Sequence, residues 1–339
     1  KNEINEEERL AIVQNSCHNG CGSCSGFYTA NTMACLLEVM GLTLPNSSSN
    51  MSLSKEKFQE CKDAGLVVRN LLKYDIKPLD IMTRESFLNA VKFLYLIGGS
   101  TNGVIHLLAM AKTANVELTL DDFRKYQHLP VLTNMKPHGQ YVMDDLNKIG
   151  GTQYLIKYLI DNKILNGNCR TVTGLRLKDN LSYLETDNLI GDVIHSLENP
   201  YKTSSHINIL SGNLAPSGCI SKIYSDKKKY QGTAKVYNTE KEMLLALKNG
   251  QISSSDFVIL RYQGESIGCP EMLAPTSALV GYFGDNTPPL ATDGRFSGGS
   301  CGILVAHLPD AYKENSVTAL IENDDLISID LEKNKIHLN

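Results

Sequence analysis

The stretch His206-Ile207-Asn208-Ile209-Leu210 marks the point where the chain changes from one sequence pattern to another. It is the first of seven short runs that are rich in apolar and β-branched residues and are separated by Gly, Pro, Asn and Asp. Runs of this kind are typical of strands. The other six are Cys219–Tyr224, Ala234–Tyr237, Phe257–Tyr262, Gly302–His307, Val317–Ile321 and Leu326–Leu331. One helix, Thr239 to Lys248, is predicted among them, so the second half is predicted to be strand-rich.

Upstream of residues 182–205 the apolar residues follow a helical period instead. Between Ala30 and Met40 they recur at helical spacing, after a predicted cap at Thr29 or Asn31 and before Gly41. Further helices are predicted over residues 55–73, 85–96, 102–113, 119–127 and 144–163. The change in composition predicts an α/β protein of two domains, residues 1–190 and 191–339.

Composition restricts the class of protein. The chain has 339 residues, of which 42% are hydrophobic and 21% charged, as in folded globular proteins. No apolar run is long enough to span a bilayer, and a net charge of −4 argues against non-specific binding to nucleic acid. Nine cysteines without a secretory signal indicate a reducing compartment. The chain begins at Lys1 rather than Met, so we expect any targeting segment to lie outside it. The compartment would then be the cytoplasm of a bacterium, or the mitochondrial or plastid matrix of a eukaryote.

Three cysteines, Cys17, Cys21 and Cys24, lie close together near the start of the chain. Thiolates are soft ligands that suit zinc, copper or iron–sulfur clusters. No second pair follows at zinc-finger spacing, and no strand precedes the Cys-x-x-Cys pair as in a redox dithiol. From spacing alone, metal ligation and free structural thiols both stay open.

The segment Gly98-Gly99-Ser100-Thr101-Asn102 opens an almost wholly apolar helix. Backbone N–H groups at a helix start, beside Ser and Thr hydroxyls, form a natural anion site. The same residues also suit a tight turn followed by a helix cap, and the pattern favours that structural interpretation.

Two further segments carry polar side chains among glycines and prolines. Glu271 lies between Pro270 and Pro275, and a carboxylate there could bind magnesium or stabilise a helix start. Ser297 follows Arg295 in a loop with three glycines, a costly composition for a mere connection. Nearby positive charge and backbone donors favour deprotonation of such a serine, although the spacing does not fix the reaction.

Taken together and in order, these segments resemble the dihydroxy-acid dehydratases of the dihydroxy-acid/6-phosphogluconate dehydratase family. The resemblance extends over essentially the whole chain. The matching motifs are Cys21–Met33, Gly98–Asn102 with His106-Leu107-Leu108, Lys136-Pro137, Tyr141–Leu146, Thr171–Gly174, Gly212–Pro216, Glu271-Met272-Leu273 and Thr292–Gly299.

The resemblance implies an α/β domain that holds an iron–sulfur cluster, followed by a β-barrel-like, swivelling C-terminal domain, in a homodimer. It assigns one of three cluster cysteines to Cys24, for a 2Fe–2S or 4Fe–4S cluster, a magnesium ligand to Glu271 and the catalytic base to Ser297. The remaining ligands of both groups are expected upstream of this chain. Substrate or anion contacts are expected at five further positions: Gly99, Ser100, Thr101, Arg295 and Gly298.

The implied reaction is dehydration of 2,3-dihydroxy-3-methylbutanoate and 2,3-dihydroxy-3-methylpentanoate to 2-keto acids, in valine and isoleucine biosynthesis. Two alternatives stay open. One is a sugar-acid dehydratase of the same superfamily, acting on gluconate- or pentonate-type substrates. The other is a folded but catalytically silent fragment.

Overall fold

The computed structural model describes residues 4–16, 22, 24–186, 189–224 and 227–339. Its first part is helical and its second part contains a closed barrel of eight strands. The chain therefore combines helices and strands, in the order that the change of sequence pattern predicted. The helices of the first part are α1 (Glu6–Asn15), α2 (Thr29–Val39), α3 (Lys55–Lys73), α4 (Pro78–Ile81), α5 (Arg84–Leu96), α6 (Asn102–Thr113), α7 (Leu120–Tyr126), α8 (Met143–Lys148), α9 (Thr152–Asp161) and α10 (Leu177–Asn180).

Helix α5 lies at the centre of this helical part. The side chains of Phe87, Ala90, Val91 and Leu94 recur at the helical period and are fully buried. Thr83 accepts a hydrogen bond from the Ser86 amide and so caps the helix. Helices α2, α6 and α7 pack around α5, and the hydrophobic core that they form also includes residues of later helices and of the first two strands.

Two details of the helix prediction were wrong. Helix α2 is not capped by Thr29 or Asn31, because the helix begins at Thr29 itself. The side-chain amide of Asn31 instead donates to the backbone carbonyls of Cys24 and Gly26, which precede the helix. The single helix predicted over 144–163 is two helices, α8 and α9. Gly150 and Gly151 separate them with φ angles of 109° and 82°, in a region that ends a right-handed helix.

The strands and α-helices of the second part are β1 (Ile207–Gly212), β2 (Ala215–Ile223), β3 (Lys229–Tyr237), α11 (Glu240–Lys248), β4 (Asp256–Leu260), α12 (Leu273–Phe283), β5 (Leu290–Thr292), β6 (Ile303–Ala306), α13 (Val317–Leu320), β7 (Leu326–Asp330) and β8 (Lys335–Leu338). The strands close in the order β1-β2-β6-β5-β4-β3-β7-β8, with parallel pairs at β3–β4, β4–β5, β5–β6 and β1–β8. The three α-helices of this described part come before β4, before β5 and before β7.

The run Val317–Ile321 was predicted as a strand, and this was wrong. Residues Val317–Leu320 form one helical turn, in which the Ala319 amide bonds back to the Ser316 carbonyl. Its β-branched residues favour a strand. The Thr318 side chain, however, is fully buried in the helical turn, and tertiary packing of this kind can outweigh the local preference.

The outer face of the barrel packs against the helices. Ile207, Ile209 and Ile220 belong to the hydrophobic cluster of the helical part, whereas Leu210 and Cys219 belong to the cluster inside the barrel. Alternate residues of β1 and β2 thus face opposite sides, as strand geometry requires. Among the described residues, no helix is both long and apolar enough to cross a membrane.

Candidate functional site

The segments around Glu271 and Ser297 meet at one end of the barrel. Strands β4 and β5 are adjacent and parallel, so the loops that follow them leave the same edge. The first loop leads to Glu271 and the second contains Ser297. Strand β2 runs antiparallel to β6, with Ile223 opposite Ile303, so β2 ends at the opposite edge, where β6 begins and to which the loop containing Ser297 returns.

Asp293 ties these two loops together. Its carboxylate accepts hydrogen bonds from the backbone amides of Tyr262 at 3.1 Å, Gln263 at 2.8 Å and Ala311 at 2.9 Å. Burial raises the pKa of Asp293 above its ordinary value, and the bonds from Ala311 and Gln263 partly offset that effect. The carboxylate therefore serves the loop geometry and has few lone pairs left for a ligand.

Glu271 lies at the centre of a polar contact between the barrel and the helices. Its backbone forms a parallel bridge with Arg295, and the Arg295 guanidinium lies 3.3 Å from Glu271 Oε1. The Asn102 side-chain amide donates to the same oxygen at 2.6 Å. Oε2 of Glu271 makes no hydrogen bond or ion pair within the described ranges, so it is the oxygen free to bind a cation.

The predicted anion segment lies beside this contact, but most of its polar groups are already engaged. The Ser100 amide donates to Thr32 Oγ1 at 3.0 Å, and the Ser100 hydroxyl lies 3.0 Å from that of Thr29. The Gly99 carbonyl lies 3.0 Å from a ring nitrogen of His206. The hydroxyl of Thr101, by contrast, is buried and has no hydrogen-bond partner among the described residues.

Ser297 is half-buried, and its hydroxyl makes no hydrogen bond to any part of the chain that the structure describes. Its carbonyl accepts from Lys222 Nζ at 3.2 Å, and the next carbonyl, that of Gly298, accepts from the same atom at 2.6 Å. A Cβ atom on Gly298 would lie 2.7 Å from Tyr28 Cα, so only glycine lets the loop approach the start of α2 so closely.

Cys24 lies just before that helix start, in a turn that the helical part holds in place. The Phe27 amide donates to the Lys136 carbonyl at 2.7 Å, and a Cβ on Gly26 would lie 2.6 Å from the same oxygen. The Cys24 thiol is half-buried and not part of a disulfide. The pKa of Tyr28 is raised by burial and by the nearby thiols of Cys24 and Cys301. Tyr28 therefore links the cysteine turn to the Ser297 loop.

A cavity of about 520 Å³ opens beside this loop. Its walls come from both parts of the chain, with His138 from the helical part and Lys202, Tyr224 and Cys301 from the segments that follow it. The volume lies within the range of small-molecule sites, about 300–1,000 Å³.

The described residues provide one candidate ligand for the iron–sulfur cluster and one for the magnesium ion that the resemblance implies. Within the described ranges, no group of three His, Cys, Asp or Glu side chains is arranged to hold a metal. The free Oε2 of Glu271 is a hard ligand that suits magnesium, and the half-buried Cys24 thiol is a soft ligand that suits an iron–sulfur cluster. The residues present thus fit both groups in part. Cys17 and Cys21 lie outside the described residues.

Sequence reasoning missed Lys222 and the contact of Asn102 with Glu271. Lys222 alternates with Ile220 and Tyr224, so the three side chains share one face of the strand. A lysine between two largely apolar side chains is a weak sequence signal of a buried charge. No sequence signal pointed to the pairing of Asn102 and Glu271, because 169 positions separate the two residues.

Comparison with known proteins assigns both parts of the chain. Residues 1–180 match the family model of the dihydroxy-acid/6-phosphogluconate dehydratase N-terminal domain, and residues 192–339 match that of the C-terminal domain.

Curated relatives align along nearly all of the chain. A dihydroxy-acid dehydratase of Flavobacterium psychrophilum is 46% identical over 342 residues, which is 99% of this chain and 61% of the relative. One of Francisella tularensis subsp. novicida is 46% identical over 345 residues, with the same coverage of both proteins. One of Lactococcus lactis subsp. cremoris is 43% identical over 340 residues, or 99% of this chain and 60% of the relative. The chain thus spans about 60% of the length of these relatives. It belongs to the dihydroxy-acid/6-phosphogluconate dehydratase family.

Proposed function

We propose that the chain is part of a hydro-lyase that dehydrates 2,3-dihydroxy-3-methylbutanoate and 2,3-dihydroxy-3-methylpentanoate to 2-keto acids, as in valine and isoleucine biosynthesis. The observation that carries the proposal is the convergence of Cys24, Glu271, Arg295 and Ser297 on the contact between the barrel end and the start of α2. The names of the curated relatives support the dihydroxy acid over a sugar acid as substrate.

In this proposal Cys24 is one ligand of the iron–sulfur cluster and Glu271 is one ligand of magnesium. The other ligands come from outside this chain, in keeping with the 60% of the relatives' length that it spans. When bound, the cluster iron supplies a Lewis acid for the C3 hydroxyl, and magnesium polarises the substrate's carboxylate end.

The residues of this chain handle the proton and the orientation of the substrate. Ser297, with a hydroxyl that no described group engages, removes the proton from C2 as the C3 hydroxyl leaves. Arg295 keeps Glu271 in place and adds positive charge where the substrate carboxylate binds. The resulting enol then tautomerises to the 2-keto acid.

The assembly proposals rest on the resemblance. Division into residues 1–190 and 191–339 is supported by the gap between the two family matches, residues 181–191. The swivelling character of the second domain and the homodimer stay predictions, and light scattering on the purified holoenzyme tests the dimer.

The test of the function is Ser297→Ala in the holoenzyme. We expect turnover of 2,3-dihydroxy-3-methylbutanoate to fall by a factor on the order of 10² to 10⁴, because general-base catalysis is lost, while the visible absorbance of the cluster is retained. Full turnover in this variant would refute the role of Ser297.

Two parallel measurements address the alternatives. Faster turnover of gluconate or arabinonate than of the dihydroxy acid would favour the alternative that the protein is a sugar-acid dehydratase. Stoichiometric iron bound by the 339-residue chain alone would contradict the proposal that most ligands lie outside it.

A further inference from the structure

Lys222 is a buried cation that the proposed reaction has not yet used. Its side chain lies near the end of β2 and is only 1% exposed. No carboxylate in the described ranges lies within 4 Å of its ammonium group. Burying a charge without an opposite charge costs several kcal/mol unless hydrogen bonds compensate. The hydrogen bonds of the Lys222 ammonium group therefore indicate the role of this residue.

Those contacts are with the loop that carries Ser297. Nζ donates to the carbonyl oxygens of Ser297 and Gly298, at 3.2 and 2.6 Å. It also lies 5.6 Å from the ring centroid of Tyr224, within the range of a cation–π contact. The ammonium group thus fixes the orientation of two successive peptide planes.

Fixing these planes has a consequence for the backbone N–H groups. In a trans peptide the C=O and N–H point in opposite directions, so the N–H groups of Gly298 and Gly299 point away from Lys222. Neither N–H has an acceptor in the described part of the chain. Both are therefore free to donate a hydrogen bond to solvent or substrate.

Several titratable groups lie near Lys222. Burial disfavours its charged form and lowers the pKa of Lys222 to about 8, whereas Cys301 and Glu271 favour that form. His206 and His138 lie close enough for the positive charge to lower their own pKa values, and both are held largely neutral by burial. At neutral pH Lys222 is thus predominantly protonated and is the nearest defined cation to the Ser297 backbone.

We propose that Lys222 is a positioning residue for Ser297: its ammonium group holds the Ser297 and Gly298 carbonyls and supplies the positive charge that stabilises the Ser297 alkoxide. The inference rests on the proposed role of Ser297 as base. It adds a residue from β2 to a site otherwise built from the loops after β4 and β5 and from the start of α2.

The test compares Lys222→Met, which removes charge and donors, with Lys222→Arg, which keeps both, in the holoenzyme. Lys229→Gln serves as control, since Lys229 lies on β3, the next strand along the sequence, with 66% of its side chain exposed. In Lys222→Met we expect kcat to fall about 100-fold with little change in KM, as when a catalytic group is misplaced. The acidic limb of the kcat–pH profile should shift to higher pH by about one unit, because loss of the nearby positive charge raises the pKa of the Ser297 hydroxyl.

Lys222→Arg and the control should leave that limb where it is. An unmoved limb in Lys222→Met, whatever its kcat, would overturn the proposal, because a merely structural role does not shift it. If circular dichroism shows that Lys222→Met does not fold, Lys222→Gln carries the same measurement.

A second readout needs no cofactor. In the 339-residue chain, Lys222→Met should raise deuterium uptake in residues 295–301 and leave other segments unchanged, and unchanged uptake there would refute the holding of the loop. Ser297→Ala, run alongside, separates the two proposals. If that variant is inactive and the Lys222→Met limb stays in place, only the role of Lys222 falls. If it keeps full turnover, both roles fall.

Discussion

Gly298→Ala tests whether the approach of the barrel loop to helix α2 is needed for the site. A Cβ at this position would lie 2.7 Å from Tyr28 Cα and 3.0 Å from the Thr29 amide nitrogen. Ordinary carbon–carbon contacts are about 3.5–4.0 Å, so the loop and the helix must separate by about 1 Å. Both atoms belong to backbone, which cannot rotate away as the end of a side chain can.

Two magnitudes follow from that displacement. Overpacking of this kind costs about 1–3 kcal/mol in the free energy of unfolding. Ser297 immediately precedes the substituted residue, and displacement of a catalytic group by about 1 Å lowers turnover about 100-fold. We therefore expect Gly298→Ala to lose more activity than its loss of stability explains.

Gly299→Ala is a matched control one residue further on. Its Cβ would lie 3.3 Å from Tyr28 Cε1, at the edge of a ring that can shift by a few tenths of an ångström. Gly299 is exposed, and its φ angle is not in the left-handed region, so alanine is allowed there. We expect a stability change within about 0.5 kcal/mol and a change in kcat of about twofold at most.

The assay is urea unfolding followed by circular dichroism, because the chain contains no Trp for fluorescence, together with kcat for keto-acid formation in the holoenzyme. Cluster absorbance checks that each variant carries the same iron. Equal behaviour of the two variants, in stability and in kcat, would refute the claim that the contact between Gly298 and Tyr28 positions Ser297.

Two further predictions concern stability. Asn102→Ala should lower the free energy of unfolding by about 1.5–3 kcal/mol, because a hydrogen bond to the charged Glu271 is lost, and urea unfolding beside the exposed control Asn168→Ala checks this. His138 and His206 are buried in neutral form, with the pKa of His138 lowered to about 3 and that of His206 lowered far below its ordinary value. The unfolded chain binds protons at these positions below about pH 6.5 and the folded chain does not, so stability should fall by about 1.4 kcal/mol per histidine between pH 7.5 and 5.5. His206→Asn should show about 1.4 kcal/mol less of this loss than the unsubstituted chain, and an identical pH dependence of the two would contradict the reasoning.

Local pattern was sufficient to predict many of the helices. The predictions for residues 85–96 and 102–113 agree with Arg84–Leu96 and Asn102–Thr113 within a residue. In both helices the apolar spacing and the buried face coincide, so local preference and tertiary packing favour the same structure. The prediction failed where they diverge, as at Val317–Leu320, where one helical turn forms from β-branched residues.

The polar centre of the candidate site was less accessible to sequence. Glu271 stood out between two prolines after a predicted strand, and Arg295 and Ser297 stood out among three glycines before another predicted strand. The parallel pairing of β4 and β5 brings the two segments together. Lys222 and Asn102 did not stand out, because their significance depends on partners 76 and 169 positions away. The first pairing depends on how the barrel closes and the second on how the barrel packs on the helices, and single-sequence periodicity contains no information about either.

The contacts that join the two parts of the chain are also the contacts that build the site. Asn102 on α6 reaches Glu271 beyond β4, and Gly298 beyond β5 touches the start of α2 beside Cys24. A shift of the barrel against the helices would therefore change the position of the proposed base relative to the proposed cluster ligand, although each part kept its own hydrophobic core. Stability of either core is thus insufficient for the chemistry. The interface has to be fixed to within about an ångström, because misplacement on that scale already costs about 100-fold in rate. The hydrogen bonds of Asn102 are suited to this because they depend on both distance and direction. The contact at Gly298 is suited to it because glycine has no side chain and lets the two backbones approach closely.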